Sequence, residues 1–346
     1  MAKHTIVLIP GDGIGPEVTA AARRVIDAAG AAAGVSFEWV TMPAGEAAIK
    51  TDGDTLPEKT LEAITQYKVG LKGPVGTPIG KGFRSVNVTL RKKLELYAAV
   101  RPVRSMPNVK TRYDNVDIVI FRENTEGLYT GIENEIAPGV VTSLKVATEK
   151  ACDRIARAAF RYANRRNRKK VTVFHKANIM KLTDGLFLRC AKQVWEEEYP
   201  NIQYEELIID NGCMQLVKDP TRFDVLLMEN LYGDLVSDLC AGLVGGLGVV
   251  PGANIGDHAA VFEAVHGTAP DIAGKGWANP LACVMSGVMM LNHMADFLRD
   301  DACKTAADRI KNAYNTVLSE GIAVTRDLGG TAGTEEFTEA LIKRVK

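Results

Sequence analysis

The sequence predicts an α/β protein in which a mostly parallel sheet is covered by helices. Two observations lead to this prediction: strand-like runs alternate with helical runs, and glycine-rich turns separate them. An alternating apolar run at 4–9 is followed by a glycine turn and an alanine-rich helix that ends near residue 33. A second strand-like run, at 35–40, comes directly after that helix. Strands separated by helices favour parallel pairing, because a parallel pair needs a long crossover.

The remaining elements continue this alternation to the end of the chain. Short strands on either side of Ala137-Pro138-Gly139 predict a hairpin, and a hairpin with few neighbours often completes its sheet on another subunit. Apolar runs bounded by turn residues predict strands, and longer periodic runs predict helices. The predicted strands lie at about 67–72, 171–174, 204–209, 223–228 and 259–262, and the predicted helices at about 57–66, 149–163, 182–198, 279–297, 301–319 and from 334 onward.

The composition is typical of a globular protein that binds neither nucleic acid nor membranes. A chain of 346 residues suits one or two domains. The formal net charge is zero, so no global field attracts a polyanion or an anionic lipid surface. The basic run at 165–170 follows a predicted helix without interleaved aromatic residues, which indicates a solvated helix end. No apolar run approaches about 20 residues, the length that a membrane-spanning helix needs.

The six cysteines are widely spaced, and none of them forms a Cys-x-x-Cys pair or has a histidine cluster beside it. This pattern argues against a zinc site and against a disulfide framework. Reduced thiols are typical of a cytosol-like compartment, and the chain begins with a strand-like run instead of a targeting segment. We therefore expect a cytoplasmic protein, with a processed organelle-matrix protein as the open alternative.

Two glycine-rich loops are candidates for close approach to a ligand. Glycines at 11, 13 and 15 follow the first strand, but their spacing differs from the Gly-x-Gly-x-x-Gly fingerprint of dinucleotide sites. A tight turn explains these glycines equally well. The loop at 72–82 combines glycine with proline and exposes backbone N–H groups that can bind a ligand.

An aspartate pair in the run 230–238 indicates a metal site. Asp234 and Asp238 are four residues apart, so a helix places both carboxylates on one face. Two like charges at this spacing repel unless a cation lies between them. Carboxylate oxygens without nitrogen or sulfur ligands suit Mg²⁺ or Mn²⁺. The alternative is structural, a helix-capping aspartate followed by a solvated aspartate in the first turn.

Several arginines indicate a site for a small polycarboxylate. Arg101 and Arg122 flank apolar strand segments, where a buried cation needs a partner. Arg91 follows Ser85 and Asn87, two small hydrogen-bonding residues at a predicted helix start. Guanidinium groups that converge on one cleft can bind carboxylates in bidentate fashion.

Three further polar residues follow predicted strands. Lys176 and Asn178 come after the strand at 171–174, and Asp210 comes after the strand at 204–209. In α/β proteins, ligands bind outside the carboxyl ends of the strands. These residues are therefore additional candidates for a ligand site.

Together these motifs resemble those of the β-decarboxylating dehydrogenase family, which comprises the isocitrate, 3-isopropylmalate and homoisocitrate dehydrogenases. The resemblance covers essentially the whole chain in the family's order, and the NAD-dependent isocitrate dehydrogenases are the members that the chain resembles in particular. The segments that carry it are GDGIGPEV, RSVNVTLR, LYAAVRPVR, FRENTEGLYTGIE, HKANIMK, NLYGDLVSD, GGLGVVPGANIG and HGTAPDIAGKGWANP.

The resemblance implies the family's two-domain fold, in which helices flank mixed sheets and which differs from a standard Rossmann fold. Residues 1–96 and 246–346 would form the large, cofactor-binding domain. Residues 97–126 and 149–245 would form the small domain, and 127–148 would form an arm that joins two subunits. The family's active site lies between the domains and takes residues from both chains, so a homodimer or a larger homo-oligomer is expected.

The resemblance also assigns roles to residues of this chain. Tyr129 and the partner subunit's Lys176 would be the acid/base pair, with the pKa of Tyr129 lowered by the neighbouring ammonium. Asp234, Asp238 and the partner subunit's Asp210 would hold Mg²⁺ or Mn²⁺, and Asp210 would thereby take part in catalysis. The residues expected to bind the substrate are Ser85, Asn87, Arg91, Arg101, Arg122, Tyr129, Lys176 and Asn178.

The expected cofactor is NAD⁺. Asp271 and Ile272 occupy the two positions where NADP-dependent relatives typically carry Lys and Tyr. An aspartate repels a 2′-phosphate but accepts a hydrogen bond from a free ribose hydroxyl. The residues expected to bind the cofactor are Ile14, Thr77, Glu263, His266, Gly267, Thr268, Ala269, Asp271, Ile272 and Asn279.

The implied activity is oxidative decarboxylation of isocitrate to 2-oxoglutarate and CO₂, a reaction of the tricarboxylic acid cycle. Isopropylmalate enzymes usually carry bulky apolar groups at the positions of Ser85 and Asn87, so this pair favours a third carboxylate. Homoisocitrate is harder to exclude, because one methylene changes binding by only about 1–3 kcal/mol. A non-catalytic regulatory subunit of a hetero-oligomeric isocitrate dehydrogenase is a further alternative, although every expected catalytic residue is present.

Overall fold

The computed structural model describes residues 2–77 and 85–346. Most elements agree with the sequence-based prediction to within a few residues. The strands are β1 Ala2–Ile9, β2 Val35–Thr41, β3 Val69–Lys72, β4 Ala98–Arg104, β5 Asp117–Glu123, β6 Glu133–Ala137, β7 Val140–Ser143, β8 Lys170–His175, β9 Gln203–Ile208, β10 Val225–Met228, β11 Pro251–Ile255 and β12 Ala260–Ala264. The helices are α1 Gly15–Ala33, α2 Glu46–Asp52, α3 Glu58–Tyr67, α4 Val86–Lys93, α5 Glu149–Arg165, α6 Thr183–Glu198, α7 Ile209–Lys218, α8 Asn230–Leu243, α9 Leu281–Leu298, α10 Asp301–Glu320 and α11 Thr334–Val345.

Ten of the strands form one mixed sheet in the order β2-β1-β3-β12-β11-β4-β5-β10-β8-β9. The three central pairs, β12–β11, β11–β4 and β4–β5, are antiparallel, and the other neighbouring pairs are parallel. The prediction of a mostly parallel sheet is therefore confirmed, and its centre is the exception. Polar side chains of β4, β5 and β12 belong to the candidate site described below.

The order of the strands separates the two predicted domains along the sheet. Strands from 1–96 and 246–346 occupy one half, from β2 to β11, and strands from 97–126 and 149–245 occupy the other half, from β4 to β9. One large apolar core includes residues of both halves. The division into domains stays a prediction.

The predicted hairpin forms a separate two-stranded sheet from β6 and β7. Nearly all of its residues are exposed, including the apolar side chains of Ile136 and Val141. At its base, Gly127 and Val146 exchange backbone hydrogen bonds of 2.9 and 3.3 Å. The hairpin thus projects from the body of the chain with an apolar surface exposed.

Helix α9 packs against α1, α10, β11 and β12 and supplies much of the core of the first half. It is the one helix within 2–77 and 85–346 that is long and apolar enough to cross a membrane, judged by length and composition alone. The expectation that no apolar segment approaches this length was therefore wrong. Its burial against the sheet and its neighbouring helices accounts for the apolar composition.

Two helices were not predicted. Helix α7 follows β9 directly and contains Asn211-Gly212, a pair that is typical of turns. Helix α2 is only seven residues long and is bounded by Gly45 and Gly53, both with positive φ. The glycine and proline loop predicted at 72–82 is described only as far as Thr77, and its remaining residues up to 82 lie outside the described ranges.

The basic run at 165–170 is not simply a solvated helix end. Arg168 donates hydrogen bonds to Asp117 at 2.7 Å and to Asp224 at 2.9 Å. The segment after α5 is therefore tied to the start of β5 and of β10. Sequence reasoning missed this role because both acidic partners are distant in the chain.

The fold also brings one cysteine next to a histidine, which the scattered spacing had not suggested. The ligand atoms of His4, Asp300 and Cys303 lie within 4.8 Å of one another. His4 Nε2 is 2.6 Å from Asp300 Oδ2, and the other oxygen of Asp300 caps α10. Burial raises the pKa of the Cys303 thiol to about 12, which disfavours the thiolate form that binds a metal ion. His4, Asp300 and Cys303 are therefore better described as a helix cap with its neighbours than as a metal site.

Candidate active site

A cleft of about 240 Å³ lies where the sheet changes from parallel to antiparallel pairing. Helices α4 and α8 and the segment after β12 form the rest of its wall. The cleft is lined by Pro74, Val75, Ser85, Asn87, Val88, Arg91, Arg101, Arg122, Tyr129, Asp234, Gly252, Ala253, Asn254, Glu263, Ala264, Val265, His266 and Gly267. It therefore collects most of the predicted substrate residues and several of the predicted cofactor residues.

The start of α4 presents polar groups to the cleft. Ser85 is the N-cap of α4, and its hydroxyl accepts a hydrogen bond of 3.4 Å from the Val88 N–H. The Thr77 and Ser85 hydroxyl oxygens are 3.3 Å apart. Asn87 Oδ1 and Arg91 Nε are buried and have no hydrogen-bond partner within the described residues. An unsatisfied buried polar atom is costly, so these two atoms indicate where a polar ligand would be bound.

Three buried arginines form the cationic wall. Arg101 on β4 and Arg122 on β5 lie on adjacent antiparallel strands, and Arg91 lies one turn into α4. Burial lowers the pKa of Arg122 to about 10, and repulsion from the other two guanidinium groups acts in the same direction. Burial and the nearby Arg91 also lower the pKa of Arg101. Guanidinium groups keep their charge in proteins, so this wall can bind an anion.

Helix α8 supplies the counter-charges. Its N-cap is Glu229, so Asp234 and Asp238 lie inside the helix and the alternative of a capping aspartate is wrong. Arg101 Nη1 lies between them, 3.6 Å from Asp234 and 3.7 Å from Asp238. Arg122 donates to the same oxygen of Asp234, Oδ1, that Arg101 approaches. In the single chain, the cation between the two carboxylates is therefore a guanidinium group.

Folding shifts the pKa values of the two aspartates in opposite directions. Burial alone would raise the pKa of Asp234, but Arg122, the Tyr129 hydroxyl and Arg101 outweigh it and lower that pKa. Burial raises the pKa of Asp238, which has fewer charge partners, and the neighbouring Asp234 adds to this effect. Both groups offer hard oxygen donors one helical turn apart, a set that fits Mg²⁺ or Mn²⁺.

Tyr129 lies in a short turn, Leu128–Thr130, with its hydroxyl donating to Asp234. Its ring lies beside the Arg122 guanidinium, 5.0 Å from ring centre to the carbon. Burial, followed by the hydrogen bond to Asp234, raises the pKa of Tyr129. The expected lowering does not occur within one chain, because the carboxylate and burial outweigh the nearby cation.

Lys176, Asn178 and Asp210 are not among the described residues that line the cleft. Lys176 Nζ instead binds Asp210 Oδ1 at 2.5 Å, with the two side chains 27% and 69% exposed. This hydrogen bond lowers the pKa of Asp210. One chain thus brings together the arginines, Tyr129 and the aspartate pair, and it leaves Lys176 and Asp210 paired on its surface.

Most of the predicted cofactor residues lie in the first glycine turn or in the segment after β12. Ile14 N–H donates to the Thr268 carbonyl at 2.9 Å, which holds the first glycine turn against the segment after β12. His266 Nε2 is buried without a partner among the described residues, and burial lowers the pKa of His266 so that the ring is neutral at pH 7. The buried, unpartnered ring nitrogen of His266 is suited to a hydrogen bond with a polar group of a dinucleotide. Ala269, Asp271 and Ile272 follow in the same segment, and Asn279 donates to Asp327 at 2.9 Å.

Glu263 lines the cleft and is also held by several partners, and its contact with the cofactor stays a prediction. It accepts from Asn254 at 2.7 Å and pairs with Lys72 at 2.5 Å and Arg91 at 3.2 Å. Sequence reasoning missed Lys72 and Asn254. The position of Lys72, at the end of β3 before the glycine and proline loop, was the signal that could have found it.

The fold and the cleft define an α/β protein with a cationic, carboxylate-containing site. A family model described as isocitrate/isopropylmalate dehydrogenase matches residues 5–341. The chain therefore belongs to the isocitrate/isopropylmalate dehydrogenase family.

Curated relatives carry several functional names. The chain is 52% identical over 338 residues to a catalytic subunit, number 5, of mitochondrial NAD isocitrate dehydrogenase of Arabidopsis thaliana, covering 97% of this chain and 87% of the relative. It is 51% identical over 342 residues to a protein of Dictyostelium discoideum that is named as a regulatory subunit of mitochondrial NAD isocitrate dehydrogenase, covering 98% and 91%. It is 53% identical over 306 residues to the chloroplastic 3-isopropylmalate dehydrogenase of Solanum tuberosum, covering 87% and 84%.

A solved structure agrees with the fold over nearly the whole chain. The crystal structure of isocitrate dehydrogenase from Methylococcus capsulatus superposes with a TM-score of 0.93 at 49% sequence identity, covering 99% of both chains. The predicted family and its mixed α/β fold are thus confirmed. Overall identity does not separate the substrates, because relatives named for two different acids lie within one percentage point of each other.

Proposed function

We propose that the chain catalyses NAD-dependent, metal-assisted oxidative decarboxylation of isocitrate to 2-oxoglutarate and CO₂. The observation that carries this proposal is the convergence of three buried guanidinium groups on a cleft that also contains Asp234. A trianion that could bind between them would neutralise charges that are otherwise expensive to bury. The relatives named for NAD-dependent isocitrate dehydrogenase support the same choice.

Substrate carboxylates would be bound by Arg91, Arg101 and Arg122 through charge-assisted hydrogen bonds. Arg91 Nε has no partner among the described residues and is available for this purpose. Ser85 and Asn87 would bind the carboxylate that distinguishes isocitrate from isopropylmalate. A carboxylate would accept a hydrogen bond from the Asn87 side-chain amide, which an isopropyl group cannot do, so the pair would favour a polar substituent.

Asp234 and Asp238, completed by Asp210 of the partner subunit, would hold Mg²⁺ or Mn²⁺. A divalent ion at this position supplies Lewis acidity, which polarises the oxygen on C2 and stabilises negative charge that develops there. Arg101 and Arg122 would turn from the aspartates toward the substrate. The charge of the site would then stay balanced when the ligands bind.

Tyr129 would act as the proton donor after CO₂ has left. Its raised pKa keeps the hydroxyl protonated at neutral pH, as a donor to the enolate carbon requires. Lys176 of the partner subunit would take the proton of the C2 hydroxyl as NAD⁺ would accept the hydride from C2, and loss of the adjacent carboxylate as CO₂ would then leave the enolate that Tyr129 would protonate. Lys176 of the partner subunit would return the proton to Tyr129, and Asn178 would lie near the nicotinamide.

The cofactor preference follows from Asp271. Its carboxylate would repel the 2′-phosphate of NADP⁺ and accept a hydrogen bond from the free ribose hydroxyl of NAD⁺. Ile272, beside it, offers no hydrogen-bond donor for a phosphate. Thr77, Gly267 and Thr268 would contact the remainder of the dinucleotide.

We further propose a homodimer with shared active sites. The hairpin exposes Ile136 and Val141, each 66% exposed, on a surface that a second copy could cover. Lys176 and Asp210 lie outside their own chain's cleft, so a second chain would have to supply them. The mitochondrial names of the relatives support the organelle-matrix alternative over the cytoplasmic location that the sequence had suggested.

Initial rates test the proposal. Isocitrate, homoisocitrate and 3-isopropylmalate would each be offered with NAD⁺ or NADP⁺, with Mg²⁺, with Mn²⁺ or with EDTA. We expect isocitrate, NAD⁺ and a divalent ion together to give the highest kcat/KM. A higher kcat/KM for either of the other acids would replace the substrate assignment.

One relative is named as regulatory, so the second candidate function is that of a non-catalytic partner in a hetero-oligomer. The test is turnover by the purified single chain. Absence of turnover by this chain alone, with activity restored by a second gene product, would support the regulatory function.

A further inference from the structure

A buried ion cluster lies beside the cleft without lining it. We call Lys145, Asp184, Glu229 and Tyr232 the Lys145 cluster. Lys145 Nζ lies 2.6 Å from Asp184 Oδ1, 3.9 Å from Glu229 Oε1 and 4.5 Å from the centre of the Tyr232 ring. The Lys145 and Asp184 side chains are only 13% and 3% exposed. An ion pair this deeply buried is weakly screened, and losing one partner leaves an uncompensated charge.

Asp184 connects the cluster to the backbone of Lys176. Its second oxygen, Oδ2, accepts a hydrogen bond of 2.7 Å from the Lys176 N–H and one of 3.2 Å from the Tyr232 hydroxyl. Both oxygens of this carboxylate are therefore in use. The start of the segment between β8 and α6, which carries Lys176, is held in place by a charge-assisted bond.

Glu229 connects the cluster to α8. Its carboxylate caps the helix by accepting from Tyr232 N–H at 2.9 Å and from Leu231 N–H at 3.3 Å. Asp234 lies one turn further along the same helix. The position of the Glu229 carboxylate thus contributes to the position of Asp234.

Lys145 itself lies on the arm. The next residue, Val146, exchanges two backbone hydrogen bonds with Gly127, two residues before Tyr129. The ammonium group therefore belongs to the segment that is hydrogen-bonded beside Tyr129. Three segments that each carry a proposed catalytic or metal-binding residue meet at one buried cation.

We propose that the Lys145 cluster is a positioning unit, which sets the segments of Tyr129, Lys176 and Asp234 relative to one another. This inference rests on the proposed function. In the proposed dimer, Tyr129 and Asp234 serve the cleft of their own chain, whereas Lys176 serves the cleft of the partner. The cluster therefore connects residues that serve two different clefts. A change in the Lys145–Asp184 ion pair would alter the positions of residues in both clefts.

Steady-state kinetics provide the first test. Lys145→Met removes the charge and keeps most of the stem, Asp184→Asn keeps the shape, and Lys145→Arg keeps the charge. We expect kcat for isocitrate oxidation to fall about 30- to 100-fold in the first two, since a displacement of about 1 Å can cost that much. KM for isocitrate and for NAD⁺ should stay within about threefold, and Lys145→Arg should recover at least a third of kcat.

The matched control is Lys304→Met. Lys304 forms an ion pair of the same length, 2.6 Å, with Asp308, but the two side chains are 46% and 52% exposed. This variant should leave kcat unchanged. A cluster variant that lowers the melting temperature while keeping kcat within twofold of the parent would show a merely structural role and would overturn the inference.

Hydrogen exchange at the Lys176 amide provides a test that does not depend on turnover, and its first measurement needs only the parent protein. In the parent protein this amide should be protected, and in Asp184→Asn it should exchange at least tenfold faster. Exchange in the parent as fast as in an exposed loop would overturn the inference, even where every variant fails to fold. If the parent protein is inactive on isocitrate, the proposed function is refuted. The exchange rate of the Lys176 amide then still tests whether Asp184 holds the segment of Lys176 in place.

Discussion

Replacing Arg122 by lysine keeps the positive charge and removes the planar guanidinium group, which donates three hydrogen bonds within the site. Arg122 is 1% exposed, and its Nε and Nη2 donate to Asn230 Oδ1 at 3.0 and 2.7 Å. Its third nitrogen donates to Asp234. A lysine ammonium lacks the planar fork and can keep only one of these contacts at a time.

The expected magnitude follows from the two hydrogen bonds that are lost. At about 1 kcal/mol each, they correspond to a loss of about 2 kcal/mol in the free energy of unfolding and to a melting temperature lower by about 3 °C. A substrate carboxylate would also lose a charge-assisted bond of about 1.5–3 kcal/mol. This loss amounts to a decrease of roughly 10- to 100-fold in kcat/KM for isocitrate.

The assay combines thermal unfolding with initial rates at saturating NAD⁺ and Mn²⁺. Arg24→Lys is the matched control, because Arg24 also makes three donor contacts, two from Nη1 to Glu335 at 2.8 and 2.7 Å and one from Nη2 to Glu339, but is 42% exposed. That change should alter the free energy of unfolding by less than about 0.5 kcal/mol. If Arg122→Lys behaves like Arg24→Lys in both measurements, the structural reasoning about the cationic wall is refuted.

Four further predictions concern other residues of the site. Tyr129→Phe should lower kcat by about 100-fold or more with little change in KM for isocitrate, as loss of a proton donor requires. Ser85→Leu with Asn87→Val should lower kcat/KM for isocitrate by at least about tenfold relative to 3-isopropylmalate. Asp271→Lys should lower the preference for NAD⁺ over NADP⁺, measured as the ratio of the two kcat/KM values. The pKa of Asp234 is lowered below 3.8 by folding, so its ionised form stabilises the protein above that pH. This contribution should disappear as the pH falls through the folded pKa, and urea unfolding of Asp234→Asn should therefore approach that of the parent only as the pH falls below 3.8.

Much of the site could be predicted because its residues are marked by local patterns. The spacing of Asp234 and Asp238 predicts one helix face, and α8 places them there. Arg101 and Arg122 were singled out because a cation beside an apolar strand needs a partner. Most helices and strands were likewise visible in the hydrophobic periodicity, since that signal is local.

The features that escaped prediction depend on contacts between distant segments. The antiparallel pairing of β4 with β11 joins residues that lie far apart in the chain, and no periodicity encodes it. The direction of the Tyr129 pKa shift depends first on burial and then on the hydrogen bond to Asp234, which is equally remote in sequence. The charged partners of Glu263, which are Lys72 and Arg91, and the partners of Arg168 are distant in the same way. Their pairing is a property of the packed chain, and a single sequence does not reveal it.

The guanidinium of Arg101 between Asp234 and Asp238 has a consequence for the order in which ligands assemble. In the single chain this guanidinium is an internal counter-ion, and under the proposed function a divalent cation would have to compete with it for the same oxygens. An arriving carboxylate would attract Arg101 and expose those oxygens. The ion and the organic acid should therefore enter as a chelate, each raising the affinity for the other. Mn²⁺ titrated into the protein alone should bind more weakly than Mn²⁺ titrated in the presence of isocitrate.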